Sequence, residues 1–179
     1  VLFVGNIKPH KNVERVISAF ATVRENLEFG DLNLVVVGDD ITRYPSLRRA
    51  VERHQVRANV RFFGFVPEAT LVALYRAADV FVFPSLYEGF GLPPLEAMAN
   101  GTPVVTSSIS SLPEVVGNAA LTVDPYNVDE IALAIQRILS DSECSARLVA
   151  AGLERAQHFS WKKAAKELDQ AYRRALEQV

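Results

Sequence analysis

The sequence predicts a doubly wound α/β domain built on a parallel sheet, with helices at its C-terminal end. Six short apolar runs alternate with segments in which apolar residues recur at helical spacing. Several of those runs are apolar at nearly every position, as strands covered on both faces must be. Alternation of this kind means parallel pairing, because each crossover helix returns the chain to the same end of the sheet.

The first strand is Val1–Val4. Val13, Val16, Ile17, Phe20 and Val23 then mark one face of a helix, with Asn12 as its N-cap. Leu34–Val37 is the second strand, followed by a helix after Pro45 that carries Leu47, Ala50, Val51 and Val56. Val60–Phe63 is the third strand. Leu71, Leu74 and Tyr75 place a helix from about Pro67, a residue suited to a first helical turn. Val80–Phe83 is the fourth strand. Pro93 and Pro94 start a short helix through Leu95, Ala97, Met98 and Ala99, which Gly101 stops at its C′ position.

Pro103–Thr106 and Leu121–Val123 complete the strands. Asn127 with Glu130 resembles a capping box. It opens a helix that carries Ile131, Ala134, Ile135, Ile138 and Leu139. No strand pattern follows, and two helices, Ser142–Gln157 and Ser160–Glu177, finish the chain. With no repeat or linker between these elements, residues 1–179 read as a single domain with a helical tail.

Composition bounds the function. A chain of 179 residues fits one domain on the usual prior of about 150 residues. Its 49% hydrophobic and 22% charged content excludes a disordered or collagen-like chain. With 19 basic and 21 acidic residues, it lacks the basic excess of a nucleic-acid module. Cys144 is the only cysteine, which excludes an internal disulfide and a Cys-rich zinc site and fits a reducing compartment. No apolar run approaches the ~18 residues of a membrane span. The chain opens on a buried strand with no initiator Met or signal pattern. The expectation is a piece of a longer protein whose missing part lies N-terminal.

In such a sheet ligands sit beyond the C-terminal strand ends. Here those ends are Gly5–Asn12, Gly38–Asp40, Phe63–Pro67, Pro84–Pro94 and Thr106–Ser111. In the first, Gly5 lets backbone approach closely, and Lys11 stands beside a helix N-terminus, a combination that suits a phosphate. The same loop also reads as a plain connection with solvent-facing lysines. It is not a Walker loop, because G-x-x-x-x-G-K-[ST] is absent. In the Pro84–Pro94 stretch, Gly89 and Gly91 permit tight turns, and Glu96 is expected in the first turn of the helix that follows. Glu88 and Glu96 read either as a functional carboxylate pair or as a loop hydrogen-bonder and a helix-dipole partner. A dinucleotide fingerprint fails, since Pro94 stands where its third glycine belongs. Asp39 and Asp40 read as a solvated turn rather than a Mg²⁺ pair.

Glu88-x7-Glu96, set in E-G-F-G-L-P-P-L-E-A-M-A, resembles the signature of glycosyltransferase family 4. G-N-I-K-P-H-K-N resembles that family's diphosphate loop. R-F-F-G-F-V-P, A-D-V-F-V-F-P-S and G-T-P-V-V-T-S follow its pattern in order, and the likeness runs from Val1 to about Leu139. The resemblance is to the C-terminal, donor-binding half of a GT-B enzyme of the group 1 glycosyl transferases. It implies a Rossmann-like half and retaining transfer of a hexose from a nucleotide-diphosphate sugar. The acceptor, a glycan or lipid-linked molecule, would be held by the N-terminal half.

The resemblance also implies site roles. Glu96 would bind the ribose hydroxyls, and Glu88 the transferred sugar near its reacting carbon. Gly89 and the backbone amides of Phe90, Gly91 and Leu92 would hold sugar and β-phosphate oxygens. Lys11 would pair with the diphosphate and act with Glu88 in catalysis, and Gly5 would leave room for the phosphates. Backbone from Phe63 to Val66 would meet the base edge. Asn6 stands where many members have Arg, which leaves the diphosphate charge to Lys11 with Lys8 and His10 as neighbours.

No metal or other cofactor is expected. The loop's likeness to bacterial mannosyltransferases points to GDP-mannose ahead of a UDP-hexose, in polysaccharide biosynthesis. The setting implied is cytoplasmic, with peripheral association of the full-length protein at the inner membrane face, and the isolated chain is expected to transfer nothing. The competing readings are a GT-B-fold sugar-nucleotide epimerase and an inactive nucleotide-sugar-binding module, the latter supported by Asn6.

The remaining residues read as structural. Arg43, Arg48, Arg49, Arg53, Arg57 and Arg61 form a solvated basic face. His54 and His158 are surface or cap residues, and Cys144 sits at a polar helix start. Trp161, beside Lys162, Lys163 and Lys166, is expected to anchor the last helix on the missing half.

Overall fold

The computed structural model describes residues 1–176. Six strands form one parallel sheet: β1 (Leu2–Gly5), β2 (Leu34–Gly38), β3 (Val60–Phe63), β4 (Phe81–Phe83), β5 (Val104–Ser107) and β6 (Leu121–Val123). Their order across the sheet is β3-β2-β1-β4-β5-β6, all parallel. The predicted fold class therefore holds. Strand limits differ from the sequence reading by a residue at most places, as expected at fraying ends.

The helices are α1 (Val13–Glu25), α2 (Pro45–Arg53), α3 (Glu68–Ala77), α4 (Leu92–Ala99), α5 (Leu112–Val116), α6 (Val128–Ser140), α7 (Ser142–Gln157) and α8 (Trp161–Leu176). Helix α1 packs on α2 and α6, while α4 packs on α3, α5 and α7. The sheet is thus covered by two helical layers. Phe3, Phe81, Phe83, Val82, Val104 and Val105 in the central strands are fully buried. The edge strand β3 exposes Arg61 and Phe63, because only one side of it has a neighbour.

Several expectations need correction. Helix α5 has no apolar period long enough to announce itself, although Pro113 at its second position and Gly117 at its C-cap are the signals it does carry. Val56 lies beyond α2, which ends when Gln55 takes a left-handed φ of 56°. Pro67 is the N-cap of α3 and not part of its first turn. Cys144 is buried at the start of α7, where the Asp141 carboxylate caps its N–H at 2.9 Å.

Asn127 caps α6 by accepting from the N–H groups of Asp129 and Glu130. The Glu130 carboxylate accepts from the Asp124 N–H at 3.1 Å, so the reciprocal half of the capping box is displaced by three residues. Helix α8 begins and ends close to the expected bounds within the described residues, and Glu177 lies outside them. None of its described residues is buried, and Trp161 is 81% exposed. No helix among the described residues is long and apolar enough to cross a membrane.

Candidate functional site

The strand order reverses between β1 and β4, so the connections leaving these strands diverge and open a crevice at their C-terminal ends. The two loops that carry the strongest sequence signals meet there. Leaving β1, the chain makes a short 3-10 turn at Pro9–Lys11 before α1. Leaving β4, it runs through Pro84–Gly91 into α4.

Lys11 and Glu88, 77 residues apart in sequence, form an ion pair at 2.6 Å. Each side chain keeps only 12% of its exposure, so solvent screens the pair weakly. The Lys11 ammonium also stands 5.1 Å from the centre of the Phe83 ring, which forms an apolar floor under it.

Backbone stitching holds the two loops in register. The His10 carbonyl accepts from the Leu86 N–H at 2.7 Å and from the Ser85 hydroxyl at 2.9 Å. Asn12 adds a second tie. It occupies the N-cap position of α1 as expected, but its backbone is left-handed at φ 62° and its side chain makes no capping bond. Its amide instead donates to the carbonyls of Pro84 at 2.9 Å and Pro125 at 2.7 Å, while its oxygen accepts from Arg15. A buried asparagine thus joins the starts of three segments that no local pattern relates.

The loop after β5 grips Glu88 from the other side. Ser110 both accepts from the Glu88 N–H at 3.0 Å and donates to the Glu88 carbonyl at 2.9 Å. Ser111 donates to the carbonyls of Glu88 and Phe90 at 3.0 and 2.6 Å. Ser110 does this from a left-handed backbone, φ 63°. Deeper in, the Ser107 hydroxyl donates to the Ser85 carbonyl. The run Ser107-Ser108-Ile109-Ser110-Ser111 at a strand end was the available signal, but nothing in its spacing assigned it a partner.

The two glycines of the Glu88 loop are not equivalent. Gly91 has φ +125°, and a Cβ there would lie 2.8 Å from the Leu112 side chain. Gly89 has open space around it and ordinary backbone, so the expected turn requirement falls on Gly91 alone. Gly91 is the N-cap of α4, and Pro93 and Pro94 follow Leu92 without N–H groups to offer. The N–H groups of Phe90, Gly91 and Leu92 have no acceptor among the described residues. Three successive donors therefore stand together where the Glu88 loop enters α4.

Glu96 falls in the second turn of α4 rather than the first. It is exposed, and one of its oxygens accepts from the Tyr75 hydroxyl at 2.9 Å. Tyr75 is buried to 1% exposure. Burial foremost, then the charge of Glu96 and the hydrogen bond to it, push the phenol well above its usual range. The sequence reading placed Tyr75 only on a helix face and missed this tie.

Of the remaining predicted residues, Gly5 ends β1 in register with Gly38 of β2, and Asn6 beside it is exposed. Phe63 to Val66 lie at the same end of the sheet, but β3 is two strands from β1, about 10 Å away at normal strand spacing. Phe65 there is 95% exposed. Asp39 is no free turn carboxylate: it accepts from the Ile7 N–H at 2.9 Å and the Tyr44 hydroxyl at 3.0 Å. Those bonds, with Arg43 and Lys8 nearby, hold its carboxyl below the usual range. Asp40 accepts from the Thr42 N–H and hydroxyl. Among the described residues no three His, Cys, Asp or Glu side chains gather as a metal site.

This arrangement offers a cation on an apolar floor paired with a carboxylate, and beside them a helix that begins with unpartnered N–H donors and carries a second, exposed carboxylate. It suits a ligand that joins an anionic group to a polyhydroxylated one. The family described as glycosyl transferases group 1 matches residues 1–155. O-antigen chain mannosyltransferase B of Escherichia coli is 39% identical over 177 residues, covering 96% of this chain and 45% of that protein. Among solved structures, sucrose-phosphate synthase from Thermosynechococcus elongatus superposes with a TM-score of 0.85 at 34% identity, covering 99% of this chain and 45% of that one. The C-terminal domain of a group 1 family glycosyl transferase from Francisella tularensis gives a TM-score of 0.77 at 25% identity, covering 88% of this chain and 84% of that one. The chain thus spans under half the length of the mannosyltransferase it matches.

Proposed function

This chain belongs to the glycosyl transferases group 1 family, and on that premise we propose that it is the donor-binding half of a retaining hexosyltransferase. Its donor in this reading is a nucleotide-diphosphate sugar, and its acceptor is a glycan or lipid-linked molecule held by a preceding N-terminal domain. The observation that carries the reading is the Lys11–Glu88 pair at the crevice between β1 and β4. It supports the reading because a cation and a carboxylate stand side by side, as a diphosphate and the sugar attached to it would require.

The chemistry follows from the charges. Transfer breaks the bond between the anomeric carbon and the β-phosphate oxygen. The diphosphate gains negative charge as it leaves, and the sugar becomes cation-like. Lys11 and the free N–H groups of Phe90 to Leu92 stabilise the departing charge. Glu88 faces the developing positive charge and orients the sugar hydroxyls. Selective stabilisation of the transition state by about 1.4 kcal/mol gives a tenfold rate. Retention is assigned to attack on the face the diphosphate leaves, with its oxygen taking the acceptor's proton. The cation in this scheme is Lys11, and no metal is needed.

Glu96 is read as the ribose ligand, since a carboxylate accepts two hydrogen bonds from a vicinal diol. Backbone from Phe63 to Val66 is read as the base edge. GDP-mannose is the preferred donor, supported by the mannosyltransferase among the similar proteins.

The test is calorimetric titration with GDP, UDP, GDP-mannose and UDP-glucose, and turnover in the full-length protein. The expected result is selective binding of one nucleotide, weakened in Glu96→Gln. Glu88→Gln is expected to lower turnover more than donor affinity. Equal donor affinity in wild type and Glu96→Gln defeats the ribose assignment.

A further inference from the structure

We infer that Tyr75 is a positioning residue of the donor site, its buried hydroxyl holding the exposed Glu96 carboxylate in the orientation that receives the ribose diol. The inference rests on the reading of Glu96 given above and extends it to a residue outside the crevice.

An exposed glutamate ordinarily samples many rotamers, and ordering it on ligand binding costs affinity. Glu96 is exposed on the second turn of α4, yet its Oε2 accepts from Tyr75 at 2.9 Å. Its donor is packed in the core. Tyr75 is 1% exposed near the end of α3, and its ring meets Phe81 of β4 edge-on, centres 5.5 Å apart. The Tyr75 carbonyl accepts from the buried Thr102 hydroxyl at 2.6 Å. The packing on β4 holds the ring, and the Thr102 bond holds the backbone that carries it.

The pairing is also one-directional. The buried phenol stays protonated because burial and the adjacent carboxylate both disfavour the phenolate. It can only donate, which keeps Glu96 an acceptor on its outward side. One hydrogen bond occupies one of about four lone-pair sites on an ionised carboxylate, leaving enough for two ribose hydroxyls.

The experiment compares ribose recognition between variants. Binding of GDP and UDP, and of their 2′,3′-dideoxy forms, is measured calorimetrically for wild type, Tyr75→Phe, Glu96→Gln and the double variant. The ratio of ribose to dideoxyribose affinity within each protein cancels any general loss of binding or stability. Wild type is expected to prefer the ribose form. Tyr75→Phe, which keeps the ring packing, is expected to cut that preference about three- to tenfold, the net worth of one typical intramolecular hydrogen bond. In the Glu96→Gln background it should change nothing further. An undiminished preference in Tyr75→Phe overturns the positioning role while leaving Glu96 as the ribose ligand. No preference in wild type, or no nucleotide binding at all, overturns the reading of Glu96 and the role of Tyr75 with it.

Discussion

The crevice between β1 and β4 and the C-terminal helix α8 sit at opposite extremes of the same chain. The crevice is irregular backbone, dense with bonds between residues remote in sequence: Lys11 to Glu88, Asn12 to Pro84 and Pro125, Ser110 to Glu88. Helix α8 is regular along all 16 of its residues and buries none of them. Trp161, Leu168, Tyr172 and Leu176 recur along it at helical spacing and remain 54–81% exposed. The contrast separates two kinds of order. Local hydrogen bonding and side-chain period make a helix, but only long-range partners make a site.

The largest expected break in that contrast comes from Gly38. A Cβ there would fall 2.0 Å from the Gly5 carbonyl oxygen, a backbone atom with no rotamer to escape into. Gly38→Ala must push β1 and β2 apart at their C-terminal ends, one strand away from the crevice. A loss of about 4 kcal/mol or more is expected, seen as a collapsed or absent cooperative urea transition. A midpoint near wild type shows that the strand ends are pliant.

Asn12→Ala comes next. It strips the donor from the Pro84 and Pro125 carbonyls in a buried setting. A loss of about 2–3 kcal/mol is expected, read from the urea midpoint at unchanged slope. A smaller change means that Arg15 or solvent takes over the asparagine's place.

Asp39→Asn tests the neighbouring tie by its pH dependence. The folded-state pKa of Asp39 is lowered, chiefly by the Ile7 N–H and the Tyr44 hydroxyl. Its ionised form therefore stabilises the fold above the unfolded carboxylate range, and that stabilisation is lost as pH falls through the folded value. Wild type is expected to melt higher than Asp39→Asn at pH 7, with the gap closing below about pH 4. A gap independent of pH shows that the tie is steric.

The smallest effect is expected on α8. Trp161→Ala removes a side chain that is 81% exposed. Stability of this chain should move by less than about 0.5 kcal/mol. A loss as large as that for Asn12→Ala would mean that α8 is held against the body, and the contrast would fail.

How much of this was legible in the sequence follows the same division. Val80–Phe83 and Val104 with Val105 were readable as buried strands, because a strand covered on both faces has no polar position to hide. Ser142–Gln157 was readable as a helix because its cap and its period are both local. Lys11, Glu88 and Glu96 were legible as residue types at strand ends, where this topology puts ligands. Asn12 was legible as the N-cap position of α1, because an asparagine before a helix usually stands there, but the bonds of its side chain were not. Only the folded chain shows that its backbone is left-handed and its amide faces Pro84 and Pro125. The roles of Tyr75, Ser110 and Ser111 were invisible for a related reason: each reaches a partner about 21 to 23 residues away, and no local period records that distance.

The sequence by itself determined the parallel α/β class, the strand order's raw material and the two loops that carry charge. These depend on continuous apolar runs, on a period of 3.6 and on turn residues, all written within a few positions of one another. Only the tertiary structure decided that Lys11 meets Glu88, that Gly38 has no room for a side chain, and that Tyr75 reaches Glu96. Those outcomes depend on which strand lies beside which, and β1 lies beside β4 because the sheet reverses there. The physical reason is that pairing is a property of the whole sheet, settled by the joint burial of strands far apart in the chain.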